Sequence, residues 1–164
     1  MARKTIVTPA IRVLREFGIQ YTEHHYEYTA HSGASGGAEH LGVDAHRVIK
    51  TLILETTEGD PVCVLMHGDR EVSLKQLARH LEVKGIAMVD PERARHYSGY
   101  QVGGTSPFGL RTAMPILCET TVQKLGSVFI NGGKRGFLLE LDVTDLIAAL
   151  HPAFVDVAIH PETR

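Results

Sequence analysis

The chain has no tryptophan and only two cysteines in 164 residues. The missing tryptophan says nothing about function, but the scarcity of cysteine excludes a good deal. Cys63 and Cys118 belong to no CxxC pair, so neither a zinc framework nor the disulfide density of a small secreted domain is on offer. Cys63 lies in the apolar run VCVLM and reads as a small buried thiol. Charge of one sign is lacking too. Lys and Arg number 17 against 19 Asp and Glu, a net charge of −2, so no strong field draws the protein to DNA or to a membrane surface. A long duplex footprint needs many Lys/Arg–phosphate contacts, which leaves room only for a local basic patch. No apolar run reaches the length of a membrane span. The opening MARKTIVTPAIRVL lacks the apolar stretch of a secretory leader. These absences point to a cytoplasmic protein without a membrane partner.

What is present is ordinary for a globular fold: 43% hydrophobic and 22% charged residues. The length suits one domain, residues 1–164, with a proper core. TPAIRVLREFG opens like a helix, with Thr8 as cap, Pro9 in the first turn and Gly18 as stop. YTEHHYEY reads as a strand with Tyr26 and Tyr28 on one face, TAHSGASGG as a turn-rich loop, and AEHLG as a short helix. Ser73 caps the amphipathic LKQLARHL, and Asp90-Pro91 starts another short helix. PILCE, SVFING and FLLELD read as strands, a helix starts at Thr144 or Asp145, and FVDVAI makes a last strand. Strands mixed with short helices predict a mixed α/β (α+β) domain.

One residue breaks its pattern. VIKTLIL, Val48 to Leu54, reads as a buried strand, and alternation puts Lys50 on the face of Val48, Leu52 and Leu54. An ammonium there is costly without a partner. Either its stem carries the charge to solvent at the sheet rim, or the charge is paired.

Ten histidines invite a metal reading, but no HExxH spacing appears and the adjacent His24 and His25 face opposite sides of a strand. There is no GxSxG; Ser106 precedes Pro107 in a glycine-rich loop rather than on a strand-to-helix elbow. Two glycine loops carry more information. GGTSPFG (Gly103 to Gly109) and NGGKRG (Asn131 to Gly136) each follow a predicted strand. They could present backbone N–H groups as a nest for an anion or oxyanion, or they could be tight turns, the second a hairpin.

Taken in order, TPAIRVL, HHYEY, IKTLIL, SGYQVGGTSPFG and INGGKRGFLLEL resemble the YbaK family of trans-acting aminoacyl-tRNA deacylases. These are relatives of the editing domain inserted in bacterial prolyl-tRNA synthetase. The resemblance spans nearly the whole chain and is nearest the Cys-tRNA(Pro) deacylase branch. It implies a mixed sheet, partly closed like a barrel and surrounded by helices, with a pocket for the aminoacylated 3′ end of tRNA(Pro). The implied reaction removes a wrongly attached amino acid, cysteine first, by attack of the substrate's own thiol on its ester with release of a thiolactone. Hydrolysis of Ala-tRNA(Pro) or another aminoacyl-tRNA by water, or a non-catalytic tRNA- or nucleotide-binding module, are the alternatives. No metal or cofactor is implied.

By motif, the resemblance implies catalytic roles for Lys50, Gly103 and Tyr26. Lys50 would contact the terminal adenosine or its phosphate, Tyr26 would hold the substrate, and Gly103 would present backbone to the ester. Gly104, Thr105, Ser106, Pro107, Asn131, Gly132 and Gly133 are implied as substrate-binding. Lys134 and Arg135 either touch tRNA phosphate or cap a solvated hairpin tip. Asn131 departs from the branch, where serine is expected, and its bulk bears on which amino acid fits. Prolyl-tRNA synthetase is a further candidate partner.

Overall fold

The computed structural model describes residues 6–30 and 33–161. The basic opening residues 1–5, the polar end 162–164 and positions 31–32 of the expected loop lie outside the described residues. Helix α1 (Pro9–Glu16) starts as its sequence dictates: the Thr8 hydroxyl accepts from the Ile11 N–H at 3.1 Å. Pro9 fills a position whose missing N–H costs nothing. Strand β1 (Thr22–His25) is shorter than predicted, and Tyr26 and Tyr28 follow it as irregular chain.

A larger departure comes next. The glycine-rich segment expected as a loop is helical, α2 (Gly33–Leu41). Glycine costs a helix about 1 kcal/mol relative to alanine, so tertiary packing must supply the compensation. A methyl on Gly37 would stand only 3.3 Å from both Leu138 Cδ1 and the Tyr26 ring. The small residues thus let α2 lie close against the sheet, where Ala38 packs with Val48, Phe129 and Leu138.

Strand β2 (Val48–Thr56) and β3 (Pro61–His67) form an antiparallel hairpin across the TTEGDP break. Then come β4 (Glu71–Val72), α3 (Leu74–Leu81) capped by Ser73, β5 (Ile86–Met88) and α4 (Pro91–Ser98) capped by Asp90. After the long glycine-rich loop follow β6 (Ile116–Glu119), β7 (Ser127–Lys134) and β8 (Phe137–Asp142). Helix α5 (Val143–Leu150) begins a residue earlier than expected, with Asp142 at the cap position. FVDVAI divides into β9 (Ala153–Val155) and β10 (Ala158–Ile159).

The strands build one mixed sheet in the order β1-β8-β7-β2-β3-β6-β9, with β5 also on β2; β10 and β4 make a separate pair. The expected mixed α/β architecture therefore forms, with helices against the sheet. Alternation along β2 holds: Ile49 and Ile53 join the core under α1 and α5, while Leu54 joins Val64, Met66 and Leu77 on the other side. Each buried Leu or Ile contributes roughly 1.5–3 kcal/mol.

One irregularity positions the site. Beyond its hairpin partner β3, β2 has a second edge, and β7 pairs there only at Val48 and Ile49 while β5 pairs only from Leu54 to Thr56. Residues 50–53 have no strand partner on that edge among the described residues.

Candidate active site

The unpaired edge opens into an apolar pocket of about 270 Å³. Lys50, Tyr26, Gly103, Thr105 and Asn131, all predicted from sequence, line it together. Lines of the wall that the motifs did not single out are Tyr28, Ile49, Thr51, Ile53, Met88 and Val89. Tyr28 could have been found from the alternating Tyr26–Tyr28 pair; Met88 and Val89 carry no local signal. Ser106 and Pro107 are buried beneath the loop instead, where the Ser106 Oγ accepts from the Phe108 N–H at 3.3 Å. Gly132 is buried in β7, its carbonyl accepting from the Thr8 hydroxyl at 2.5 Å.

Lys50 is not left unpaired. Its ammonium donates to the main-chain carbonyl of Arg70. Burial pushes its pKa down, while the charges of Glu71 and Asp69 oppose that shift. The contact is to a carbonyl rather than a carboxylate, and no described carboxylate forms a direct ion pair with the ammonium. Burial also raises the pKa of Tyr26, and the nearby Tyr28 adds to the shift. Tyr26 stacks on His40 of α2 with ring centroids 5.7 Å apart. Beside Lys50, the Thr51 Oγ1 is buried without a hydrogen-bond partner among the described residues.

The two glycine loops are clamped to each other, chiefly by Asn131. Its Nδ2 donates to the Gly103 carbonyl at 3.1 Å, and its Oδ1 accepts from the N–H groups of Gly133 (2.7 Å) and Lys134 (3.0 Å). The Gly104 N–H donates to the Gln101 carbonyl. The N–H groups of Gly104, Gly133 and Lys134 are therefore spent inside the protein, which favours the tight-turn reading of the two loops over the anion nest. Asn131 works as a bracket that fixes where Gly103 stands. Gly103 has φ +89, and a methyl on it would stand 2.6 Å from the Tyr28 hydroxyl.

With the pocket defined, comparison with known proteins adds the decisive observation. The model of the aminoacyl-tRNA editing domain matches residues 31–149. The chain belongs to that family. A candidate Cys-tRNA(Pro)/Cys-tRNA(Cys) deacylase, EbsC of Enterococcus faecalis, is 27% identical over 151 residues, covering 92% of each chain. A proline–tRNA ligase of Moorella thermoacetica is 32% identical over 99 residues, covering 60% of this chain but only 17% of the ligase. Among solved structures, the hypothetical protein APE2540 superposes with a TM-score of 0.84 at 20% identity, covering 93% of this chain and 100% of that one. A candidate trans-editing enzyme for prolyl tRNA synthetase gives 0.78 at 21%, covering 94% and 99%. These two likenesses concern the fold. Members of the editing family are aminoacyl-tRNA deacylases.

This editing domain brings no nucleophilic cysteine to the pocket. Cys63 and Cys118 are both fully buried, and burial pushes both thiols up to about 12. At neutral pH neither supplies the thiolate that attack requires. No described helix is long and apolar enough to cross a membrane.

Sequence reading missed a second cluster, His46, His67 and Asp69, whose ligand atoms lie within 4.8 Å of one another. The two imidazoles stack face to face, centroids 3.6 Å apart and 5° from parallel. Their in-plane lone pairs then lie in parallel planes and do not converge on one ion. His67 has also committed both nitrogens, to the His46 carbonyl and the Thr121 hydroxyl, each at 2.7 Å. A carbonyl only accepts, so Nδ1 carries the proton and Thr121 donates to Nε2 in the neutral ring. Burial pushes the His67 pKa down, with the hydrogen bond to the His46 carbonyl opposing it. The unfolded chain takes up this proton near about pH 6.5, the folded one only at lower pH. Stability is therefore expected to fall as pH drops below about 6.5. Urea midpoints at pH 7.5 and 5.5 check this: His67→Gln should flatten the difference, and an equal pH response in both proteins contradicts it.

Proposed function

We propose that the apolar pocket receives the aminoacylated 3′ end of tRNA(Pro) and that the protein acts in trans to release a wrongly attached amino acid, cysteine first. The observation that carries this reading is the convergence of Lys50, Tyr26 and Gly103 on one small pocket in a chain of the editing family. Lys50 places a half-buried positive charge beside the bound adenosine or its phosphate. Tyr26 holds the substrate against α2, and Gly103 offers main chain to the ester without a side chain in the way. Thr105 and Asn131 complete the polar part of the wall.

With no cysteine thiolate of the protein to attack, the substrate supplies its own thiol. The cysteine sulfur forms a bond to the ester carbonyl carbon, the carbon–oxygen bond to the ribose breaks, and the thiol proton passes to the ribose oxygen. The thiolactone that leaves is opened later by water. The protein contributes positioning and electrostatic support, which together are worth many orders of magnitude in rate. Such a step serves translation because a synthetase pocket separates amino acids of similar size by only roughly 1–3 kcal/mol. Prolyl-tRNA synthetase, whose product is edited, is the natural partner.

The test is a panel of Cys-, Ala- and Ser-tRNA(Pro) incubated with pure protein. Cysteine is expected to be released fastest and serine, lacking the thiol, to remain close to the buffer rate. Rapid release of alanine instead points to water as the nucleophile, and binding without release of any amino acid points to a non-catalytic module.

A further inference from the structure

Behind the paired glycine loops lies a second cavity of about 310 Å³. The two cavities share a wall. Gly103 and Asn131 face the apolar pocket, while Gly104 and Gly133 face the second cavity. The chemistry reverses across that wall. The second cavity is lined by three cations, Arg95 from the last turn of α4 and Lys134 and Arg135 from the β7–β8 hairpin, and by no carboxylate among the described residues. None of the three pairs with a carboxylate among the described residues. A fourth cation stands beside it: a methyl on Gly99 would lie 3.5 Å from the Arg111 Nε. In a chain of net charge −2, four such cations around one concavity form a local positive field.

Arg135 is also held in place. Its Nε donates to the Val102 carbonyl at 2.9 Å, and its guanidinium lies 4.9 Å from the centre of the Tyr28 ring. Tyr28 also lines the apolar pocket. Because Nε alone is committed among the described residues, the two terminal nitrogens keep the fork that suits phosphate oxygens. The N–H groups of Gly104, Gly133 and Lys134 are already spent, so side-chain charge carries the recognition.

We infer that this cavity seats a backbone phosphate of the RNA strand whose 3′-terminal adenosine enters the apolar pocket, with Arg95 as a contact alongside Lys134 and Arg135. The inference rests on the deacylase reading for the identity of the strand. The substrate then straddles the glycine wall, its ester on the apolar side and the phosphate of a preceding nucleotide on the basic side.

A fluorescein-labelled RNA hairpin ending in single-stranded CCA, without an amino acid, tests this by titration at several salt concentrations. Arg95→Ala/Lys134→Ala is expected to bind on the order of 10-fold more weakly, with the slope of log Kd against log salt reduced by about 1.4, near 0.7 for each single-strand phosphate contact. Arg95→Lys in place of Arg95→Ala should recover part of the affinity. Equal affinity and slope in both proteins overturns the inference, as does an equal loss of binding to adenosine, which has no phosphate. Wild type that binds the hairpin without salt dependence overturns it as well. Because no cleavage is needed, failure of the deacylase reading is seen separately, as wild type that turns over no mischarged tRNA.

Discussion

Replacing Lys50 with alanine is expected to slow release of the amino acid from mischarged tRNA(Pro) by roughly 100- to 1000-fold, the usual cost of deleting one preorganised electrostatic group from an active site. The fold should survive. The ammonium is half-buried and its pKa is pushed down by that burial, so its charge costs the native state something that alanine relieves. Against this stands one lost hydrogen bond to the Arg70 carbonyl, worth about 1 kcal/mol. The two nearly cancel, and the unfolding free energy should change by no more than about 1 kcal/mol. Lys50→Met separates charge from packing, because it keeps an unbranched apolar stem of similar length. Single-turnover deacylation with saturating protein, beside urea denaturation of each variant, gives both readouts. A methionine variant with wild-type rate would remove Lys50 from the mechanism.

The second large effect is on stability. Gly136 closes the β7–β8 hairpin at φ +76, and a methyl there would stand 2.4 Å from the Tyr26 carbonyl oxygen. The obstacle is main chain, not the far end of a side chain that could swing away. It is moreover tied down, since the Tyr26 N–H donates to the Gly136 carbonyl at 3.0 Å. Left-handed backbone costs an L-residue about 1–2 kcal/mol, and the steric overlap adds roughly 1–3 kcal/mol. Gly136→Ala should therefore destabilise by about 2–5 kcal/mol and also slow the reaction, because relief of the clash moves Tyr26 away from the pocket. Gly126→Ala is the matched control: nothing lies within 4 Å of the position its methyl would take, and its φ is not positive. It should cost less than about 1 kcal/mol. Equal urea midpoints for the two variants would refute the argument.

Both predictions depend on contacts of different reach, and that difference separates what was legible in the sequence from what was not. The caps at Thr8, Ser73 and Asp90 and the alternation along β2 could be read directly, and the β7–β8 hairpin was one of two readings of its glycine loop. Each is decided by residues within a few positions of one another. The motif order located Lys50, Tyr26, Gly103, Thr105 and Asn131, which the fold does gather around one pocket. Local rules failed where distant packing outweighed them. The GASGG segment is helical where Gly37 lets α2 lie close against Tyr26 and Leu138, whose atoms stand 3.3 Å from the place a methyl would take. Asn131 is a bracket because β7 carries it to a carbonyl 28 residues away in sequence.

The sequence by itself therefore determined most of the secondary elements, α2 apart, the strand that carries Lys50 and the set of residues worth suspecting. Only the tertiary structure decided that β7 and β5 leave Lys50's edge uncovered, that the ammonium rests on the Arg70 carbonyl, and that two glycine loops divide an apolar pocket from a basic one. Those features arise from pairings between segments far apart in the chain. Their energies depend on how closely two backbones approach, and no local pattern of residues encodes that distance.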